Sequence, residues 1–361
     1  MDEIKSLKIQ VENSSMPVGL KEKALKMLDR LSRMADAGNF STEFDIVEHY
    51  IQNILQIPFG NYTKDNLEIN HSIDILNHNH FGLNEIKNRI AEYVAVMNLQ
   101  SGKISRASED MSNLAGNSSH APILCFVGVQ GIGKTTMAKS LAEALNKKFV
   151  RISLNALGNI GRLKGMPRYV TGAEPGQIIK ALQRAGTMNP IILLDEMDKT
   201  AGNEVERFDY NAALIEILDP EQNGTYMDAY IDYPIDLSNV MFIATANTLG
   251  TISAALLDRL EIIRFSSYND AEKANIAENY LLPKIRKATG LSENQMTFTN
   301  DVWPLMIRPL GFDAGIRQLE RNLTNVARKV ARIIVEQKVD RIQISPQNFR
   351  QFIPEDIGVY S

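Results

Sequence analysis

Apolar residues recur at helical spacing through the first hundred residues of the chain. Leu20, Ala24, Leu28 and Leu31 follow one another at spacings of four, four and three, which predicts an amphipathic helix. Similar patterns predict a second helix over 44–55 and a third over 83–99. The stretch 60–80 between them is polar and rich in Asn, which indicates a linker. Residues 1–79 therefore form a predicted helical region that ends in a linker.

The pattern changes after residue 121. Short, mainly apolar runs alternate with helix-like stretches, and these runs cover 123–129, 149–154, 191–196 and 240–247. Such alternation is typical of an α/β fold with a parallel sheet covered by helices. From 266 the pattern is helical again, with a regular apolar stripe over 314–337. We therefore predict an α/β domain over 80–265 and a helical domain over 266–361, with a Ser- and Asn-rich loop over 101–121.

Composition narrows the class of protein. The chain has 361 residues, a net charge of −4 and one cysteine, Cys125. A single cysteine excludes an internal disulfide framework and a cysteine-rich zinc site. The near-neutral charge argues against a dedicated nucleic-acid binder. No apolar run is long enough to cross a membrane, and the N-terminus lacks the apolar core of a signal peptide, so we predict a soluble, cytoplasmic protein.

One motif predicts phosphate binding. The sequence from 128 to 135 fits G-x-x-x-x-G-K-[ST], between a predicted strand and a predicted helix, which favours a site for ATP or ADP rather than a chance glycine turn. Lys134 is expected to reach the β and γ phosphates, and Thr135 to bind Mg²⁺. The predicted nucleotide-binding residues of the loop are Gly128, Val129, Gln130, Gly131, Ile132, Gly133, Lys134, Thr135 and Thr136.

A pair of acidic residues follows another apolar strand. Asp195 and Glu196 come directly after four apolar residues, at the end of the strand where open α/β sheets bind ligands. An isolated pair of this kind is usually a solvated strand end. Together with the phosphate loop, it indicates that Asp195 completes a Mg²⁺ site and that Glu196 polarises an attacking water, as a hydrolase requires.

The later motifs complete a resemblance to a known family. Asn247 ends an apolar strand, Leu256-Leu257-Asp258-Arg259 follows it, and Gly315-Ile316-Arg317 comes further on. This order resembles the AAA+ ATPases, with Asn247 as sensor 1, Arg259 as arginine finger and Arg317 as sensor 2. The strings FVRISL, LLDEMDK, LDPEQN, VMFIATANT and GIRQLER resemble the Lon protease family more specifically, and the resemblance extends from about residue 16 to 358.

The resemblance implies a site and a function. It implies an ATPase that hydrolyses ATP with Mg²⁺, unfolds and translocates protein substrates, and assembles as a hexamer in which Arg259 acts on a neighbouring subunit. It also implies that His80, Phe81 and Gly82 border the adenine. Because the sequence given ends at Ser361, before the family's proteolytic domain, we expect no peptidase activity from it alone, and a peptidase domain or partner remains possible.

The predicted pore loop departs from the family pattern. Where the family has Arg-Arg-Thr-Tyr-Val-Gly, this chain has Pro167-Arg168-Tyr169-Val170-Thr171-Gly172, so the aromatic residue has moved by one position. Tyr169 with Val170 is interpreted as the substrate-gripping pair, although a core position for Tyr169 stays open.

Two other classes of function remain as alternatives. One is a nucleotide-binding regulatory or scaffold protein with a degenerate pore loop and no motor activity. The other is a DNA-associated AAA+ protein, for which the only support is a small basic cluster. A solvated helix face is the preferred interpretation of that cluster, which consists of Lys139, Lys147, Lys148 and Arg151.

Overall fold

A computed structural model of the chain describes residues 2–36, 42–107, 123–199, 204–307 and 315–353. The chain divides into two compact units. The first consists of Met1–Leu67, Ala95–Phe126 and Leu141–Ile262. The second consists of Glu68–Val94, Val127–Ser140 and Ile263–Ser361. The sequence-based limits at 79/80 and 265/266 stay a prediction.

The N-terminal part of the chain is helical, the central part contains both helices and strands, and the C-terminal part is mainly helical. The helices are α1 (Asp2–Asn13), α2 (Val18–Asp36), α3 (Thr42–Leu55), α4 (Ile69–Asn79), α5 (Asn84–Ala107), α6 (Lys134–Ala144), α7 (Ile160–Lys164), α8 (Gln177–Ala185), α9 (Glu204–Leu218), α10 (Ala254–Leu257), α11 (Asp270–Ile276), α12 (Leu282–Thr289), α13 (Trp303–Ile307) and α14 (Arg317–Gln337). The strands are β1 (Ile123–Val127), β2 (Phe149–Ser153), β3 (Ile191–Asp195), β4 (Tyr226–Met227), β5 (Pro234–Ile235), β6 (Met241–Ala246), β7 (Leu260–Arg264), β8 (Met296–Phe298) and β9 (Ile342–Ile344).

The central sheet confirms the predicted α/β class. Within the described residues, five strands form it in the order β2-β3-β6-β1-β7, and the β2/β3 and β3/β6 ladders are parallel. Every residue of β3 and of β6 is buried. This explains why both strands are almost entirely apolar, since a parallel sheet is covered on both faces.

The N-terminal helices α1 to α3 lie in the same compact unit as most of this sheet. Their apolar stripes are buried as the spacing predicts, with Leu20 and Leu28 of α2 and Ile51 of α3 fully inaccessible to solvent. The helical prediction for this region is confirmed.

The predicted linker over 60–80 is wrong in its second half only, because its first half has no helix or strand. Residues 61–66, which we call the strap, are held by hydrogen bonds: Asn189 Nδ2 donates to the Thr63 carbonyl at 2.8 Å, and Asn66 N donates to the Leu145 carbonyl at 3.0 Å. The buried Lys147 ammonium forms a 2.8 Å ion pair with Asp65 of the strap. The second half is α4, which buries only Ser72 and Leu76 and therefore carries too weak an apolar pattern to be seen in the sequence.

Two further expectations are corrected. Residues 101–107 of the predicted loop continue α5, and the rest of that loop, 108–121, lies outside the described residues. The basic cluster is not one helix face, because Lys147 is buried in its ion pair and Arg151 lies on β2. None of the described helices is long and apolar enough to cross a membrane.

The C-terminal helices pack around their own core in the second unit. The predicted helix over 314–337 is α14, which the structure begins at Arg317 and which buries Leu323, Val326 and Val330 against Trp303. Residue 314 itself lies outside the described ranges. This core holds the first turn of α14, which matters for the phosphate loop below.

Candidate functional site

The glycine motif forms a tight turn between β1 and α6. Gly131 and Gly133 have φ values of +76° and +98°, in the left-handed region that favours glycine. Helix α6 begins at Lys134, so the loop leads directly into a helix N-terminus, where backbone N–H groups and the helix dipole favour anions. The Lys134 ammonium folds back and donates to the carbonyls of Gly128 and Val129.

The apex of the loop is braced by the start of α14. Ile316 N donates to the Gly131 carbonyl at 2.9 Å. A Cβ at Gly315 would lie 2.5 Å from the Gln130 carbonyl oxygen, so a larger residue has no space there. Arg317, the predicted sensor 2, is the first residue of α14, and its Cβ lies 2.8 Å from where a Cβ of Gly131 would be.

The base of the loop is held by the segment that follows β7. Phe265 N donates to the Val127 carbonyl at 2.7 Å, and a Cβ on Gly128 would lie 2.9 Å from the Phe265 carbonyl oxygen. Tyr268 Oη donates to the Ile132 carbonyl at 3.2 Å. Sequence reasoning did not identify Tyr268. Its hydroxyl gives the phosphate loop a hydrogen bond in addition to the one from Phe265 N.

The predicted adenine segment contacts helix α6 in the same unit. The buried His80 ring has Nε2 2.9 Å from Ser140 Oγ, and Lys87 Nζ donates to the His80 carbonyl at 2.7 Å. Burial, and secondarily the Lys87 charge, lowers the pKa of His80 to about 4, so the ring is neutral at pH 7. Phe81 packs against the helical C-terminal core, and Gly82 has a φ of +61°.

The first acidic residue is buried at the end of β3. Asp195 accepts a hydrogen bond on Oδ1 from the Thr245 hydroxyl and on Oδ2 from Arg151 Nε, the latter at 2.6 Å. Its side chain is 7% exposed, whereas that of Arg151 is 53% exposed. The carboxylate is therefore fixed by a neutral donor on one oxygen and a cation on the other.

The second acidic residue has an unusual backbone conformation. Glu196 has a φ of +60°, and its N–H donates to Thr245 Oγ1 at 2.9 Å. A non-glycine residue with positive φ is uncommon and here directs the chain away from the strand direction. Lys199 Nζ lies 2.8 Å from Glu196 Oε1, and Asn155 Nδ2 lies 3.4 Å from Oε2. The hydrogen bond from Lys199 is the main cause of the lowered pKa of Glu196.

The two residues predicted for Mg²⁺ carry oxygen donors, each in its own compact unit. Thr135 supplies a half-buried hydroxyl on α6, and Asp195 supplies a fixed carboxylate. Oxygen donors of this kind, few in number, suit an ion that keeps several waters and also binds phosphate. Among the residues described, no group of three or more His, Cys, Asp or Glu side chains forms a dedicated metal site.

The predicted arginine finger is held within its own chain. Arg259 Nη2 lies 2.9 Å from Asp219 Oδ2, and Nη1 donates to the Ala255 carbonyl at 2.8 Å. Asp219 belongs to the LDPEQN string, to which sequence reasoning gave no role. Asn247, the predicted sensor 1, directly follows the buried strand β6.

The predicted pore residues lie at the surface. Tyr169 is 88% exposed and Val170 is 40% exposed, so Tyr169 is not a core residue. Both lie between α7 and α8 in the first unit.

Sequence reasoning missed the partners that fix the acidic pair. They are Arg151, Asn155, Lys199 and Thr245. Arg151, Lys199 and Thr245 belong to the strings that carry the family resemblance, FVRISL, LLDEMDK and VMFIATANT. Their place in these strings could have marked them as candidate site residues, but one sequence does not show which residues of distant strings are in contact.

Comparison with known proteins gives matches for the central and the C-terminal parts of the chain. The model of the ATPase family associated with various cellular activities (AAA) matches residues 124–268, and the Lon protease AAA+ ATPase lid domain matches residues 287–342. The chain is 39% identical over 358 residues to a Lon protease of Bacillus thuringiensis, covering 99% of this chain and 42% of that protein. It is 40% identical over 351 residues to a Lon protease of Brevibacillus choshinensis, covering 97% of this chain and 42% of that protein.

The fold and these matches define an AAA+ ATPase domain with its lid. The chain spans about two fifths of the length of the two relatives. Over that span, it belongs to the Lon protease family as its AAA+ module.

Adding one methyl group at Gly315 tests whether its close approach to the loop matters for nucleotide binding. We expect Gly315→Ala to displace the Gln130 carbonyl and to weaken nucleotide binding by about tenfold or more, which is ~1.4 kcal/mol. Titration with a fluorescent ATP analogue measures this. Gly250→Ala is the control, because a Cβ there has nothing within 4 Å. Equal affinities for the two variants would contradict the steric role of Gly315.

Proposed function

We propose that this chain hydrolyses ATP and uses hydrolysis to unfold and translocate polypeptides, as the ATPase module of ATP-dependent proteolysis. The observation that carries the proposal is the contact between the Gly131 carbonyl and Ile316 N. Because the loop that binds phosphate is hydrogen-bonded to the first turn of a lid helix, a change at the phosphates is passed directly to α14. A domain that only stored nucleotide would have no need of such a link.

Each residue of the proposed site has its own role in hydrolysis. Lys134 would exchange the loop carbonyls for the β and γ phosphates and neutralise their charge. Thr135 and Asp195 would hold Mg²⁺, which supplies further charge neutralisation on the phosphates. Glu196 would polarise the attacking water, and Asn247 would orient it. His80, Phe81 and Gly82 would border the adenine.

Two arginines would stabilise the negative charge of the transition state. Arg317 would act within the chain, at the start of α14. Arg259 would act on the nucleotide of a neighbouring subunit, which requires a ring, and we propose a hexamer. Asp219 would keep the Arg259 guanidinium oriented before that contact is made. Tyr169 and Val170 would contact the protein substrate.

A nucleotide-binding scaffold is the second candidate, and one observation favours it. Arg151 occupies the Asp195 oxygen that a cation would need, at 2.6 Å. The two candidates differ in their response to an unfolded protein. Turnover of ATP that rises when casein is added supports the motor, and turnover near zero with nucleotide still bound supports the scaffold.

Substitution of the second acidic residue tests hydrolysis directly. We expect Glu196→Gln to keep ATP binding and to lower turnover by about 100-fold or more, because an amide cannot accept a proton from water. Nucleotide titration and phosphate release measure the two effects separately. Glu293→Gln, at an exposed position outside the site, is the matched control. Unchanged turnover in Glu196→Gln would exclude Glu196 as the base.

The ion pair with Lys199 predicts a pH effect. Since Lys199 lowers the pKa of Glu196, Lys199→Ala should raise that pKa toward its ordinary value. The base is active only when ionised, so the acidic limb of the kcat profile should move to higher pH. Steady-state turnover measured from about pH 4 to 8 locates the limb. Lys199→Arg should leave it in place, and an unmoved limb in Lys199→Ala would contradict the assignment.

Mixing subunits tests whether Arg259 acts between them. Arg259→Ala should abolish hydrolysis, and addition of Glu196→Gln subunits, which carry an intact arginine, should restore part of it. The assay is ATP turnover at fixed total protein with light scattering on the same samples. Failure of the mixture to exceed the sum of its components, while its mass shows assembly, would contradict action between subunits.

A further inference from the structure

The loop that carries Tyr169 is closed at its base. We call residues 165–176 the Tyr169 loop. Met166 N donates to the Glu174 carbonyl at 3.2 Å, and Gly176 N donates to Asp228 Oδ2 at 2.7 Å. A Cβ on Gly176 would lie 2.2 Å from the Leu163 carbonyl oxygen, so the base of the loop has no space for a side chain at this position.

Neighbouring side chains near the tip of this loop differ in exposure. Tyr169 is 88% exposed, but the side chain of Arg168 is only 22% exposed. The Arg168 guanidinium carbon lies 4.2 Å from the centroid of the Tyr50 ring of α3. Its Nη1 is 3.7 Å from Met27 Sδ of α2. One side chain therefore connects the exposed end of the loop to two N-terminal helices.

The groups that contact Arg168 have further partners of their own. Tyr50 is fully buried, and its hydroxyl donates to the Ile231 carbonyl at 3.0 Å. Asp232 Oδ2 lies 3.5 Å from Arg168 Nη2 and 2.7 Å from Lys23 Nζ of α2. The aromatic face and the carboxylate thus form a platform, and Lys23 ties its charged side to α2.

Arginine suits this platform better than lysine. A planar guanidinium can stack on an aromatic ring while its N–H groups point outward to a carboxylate, whereas an ammonium presents a single charged centre. A cation over the face of a tyrosine within about 6 Å is attracted by the ring. Arg168 makes both contacts: the ring belongs to α3, and the carboxylate belongs to the 228–232 turn.

We propose that Arg168 is a positioning residue that anchors the Tyr169 loop to α2 and α3. This inference rests on the proposed function, because it assigns the anchored loop the task of gripping a polypeptide. With Arg168 in place, a pull on Tyr169 is transmitted to the N-terminal helices. Without it, the hydrogen bonds at the base remain, and the tip moves when Tyr169 is loaded.

The anchor is tested first without any substrate. Hydrogen exchange of the loop amides is compared in the wild type, Arg168→Ala and Arg168→Lys. We expect exchange in Arg168→Ala to be faster by about tenfold, because the tip loses its tertiary contacts, and exchange in Arg168→Lys to be intermediate. Arg33→Ala removes an exposed arginine of α2 and serves as the control. Equal exchange in Arg168→Ala and Arg33→Ala would overturn the proposal.

The consequence for substrate handling is tested with casein and ATP. Arg168→Ala should keep basal ATP turnover but need about fivefold more casein for half-maximal stimulation, and Arg168→Lys should recover part of that loss. Tyr169→Ala separates the two hypotheses. If casein stimulates wild type and Tyr169→Ala equally, the gripping function is wrong, while the exchange result still decides the anchor. If Tyr169→Ala abolishes stimulation and Arg168→Ala changes neither readout, the anchor is wrong.

Discussion

No side chain fits between the phosphate loop and the first turn of α14. A Cβ on Gly131 would lie 2.8 Å from that of Arg317, and one on Gly315 would lie 2.5 Å from the Gln130 carbonyl oxygen. The backbones meet directly, and the hydrogen bond from Ile316 N fixes their register. The helical C-terminal core determines the position of α14, so its packing also determines the shape of the loop. The turn of the glycine motif is thereby in direct backbone contact with the lid helix.

A single hydroxyl organises the acidic pair in the other unit. Thr245 donates to Asp195 and accepts from the Glu196 backbone N–H, so one buried group satisfies both. Its position on β6, next to β3, makes this possible. The bond to the Glu196 N–H stabilises the left-handed conformation of that residue, which is costly for a side chain other than glycine. The placement of both acidic residues therefore depends in part on a residue that has no charge and belongs to a different strand.

The sequence predicts this molecule best where the information is local. The phosphate loop needs glycines at fixed spacing, and β3 needs an unbroken apolar run, so both are visible in a few residues. The partners of the site are not local: Arg151 and Asp195 are brought together by strand pairing, and Arg259 meets Asp219 across 40 residues of chain. The prediction failed for α4 because its buried surface consists of Ser72 and Leu76, and a polar, Asn-rich helix resembles a linker.

The strap has a consequence for where this chain tolerates a break. Loops rich in polar residues are usually the safest places to cut or to insert, because their backbone is solvated. Here the polar stretch supplies the partners of Asn189 and the buried Lys147. A break before residue 67 would leave an amide and an ammonium buried without those partners, a cost comparable to that of a core cavity. This polar segment is therefore one that the first unit cannot lose, and fragments of this protein should begin well upstream of it.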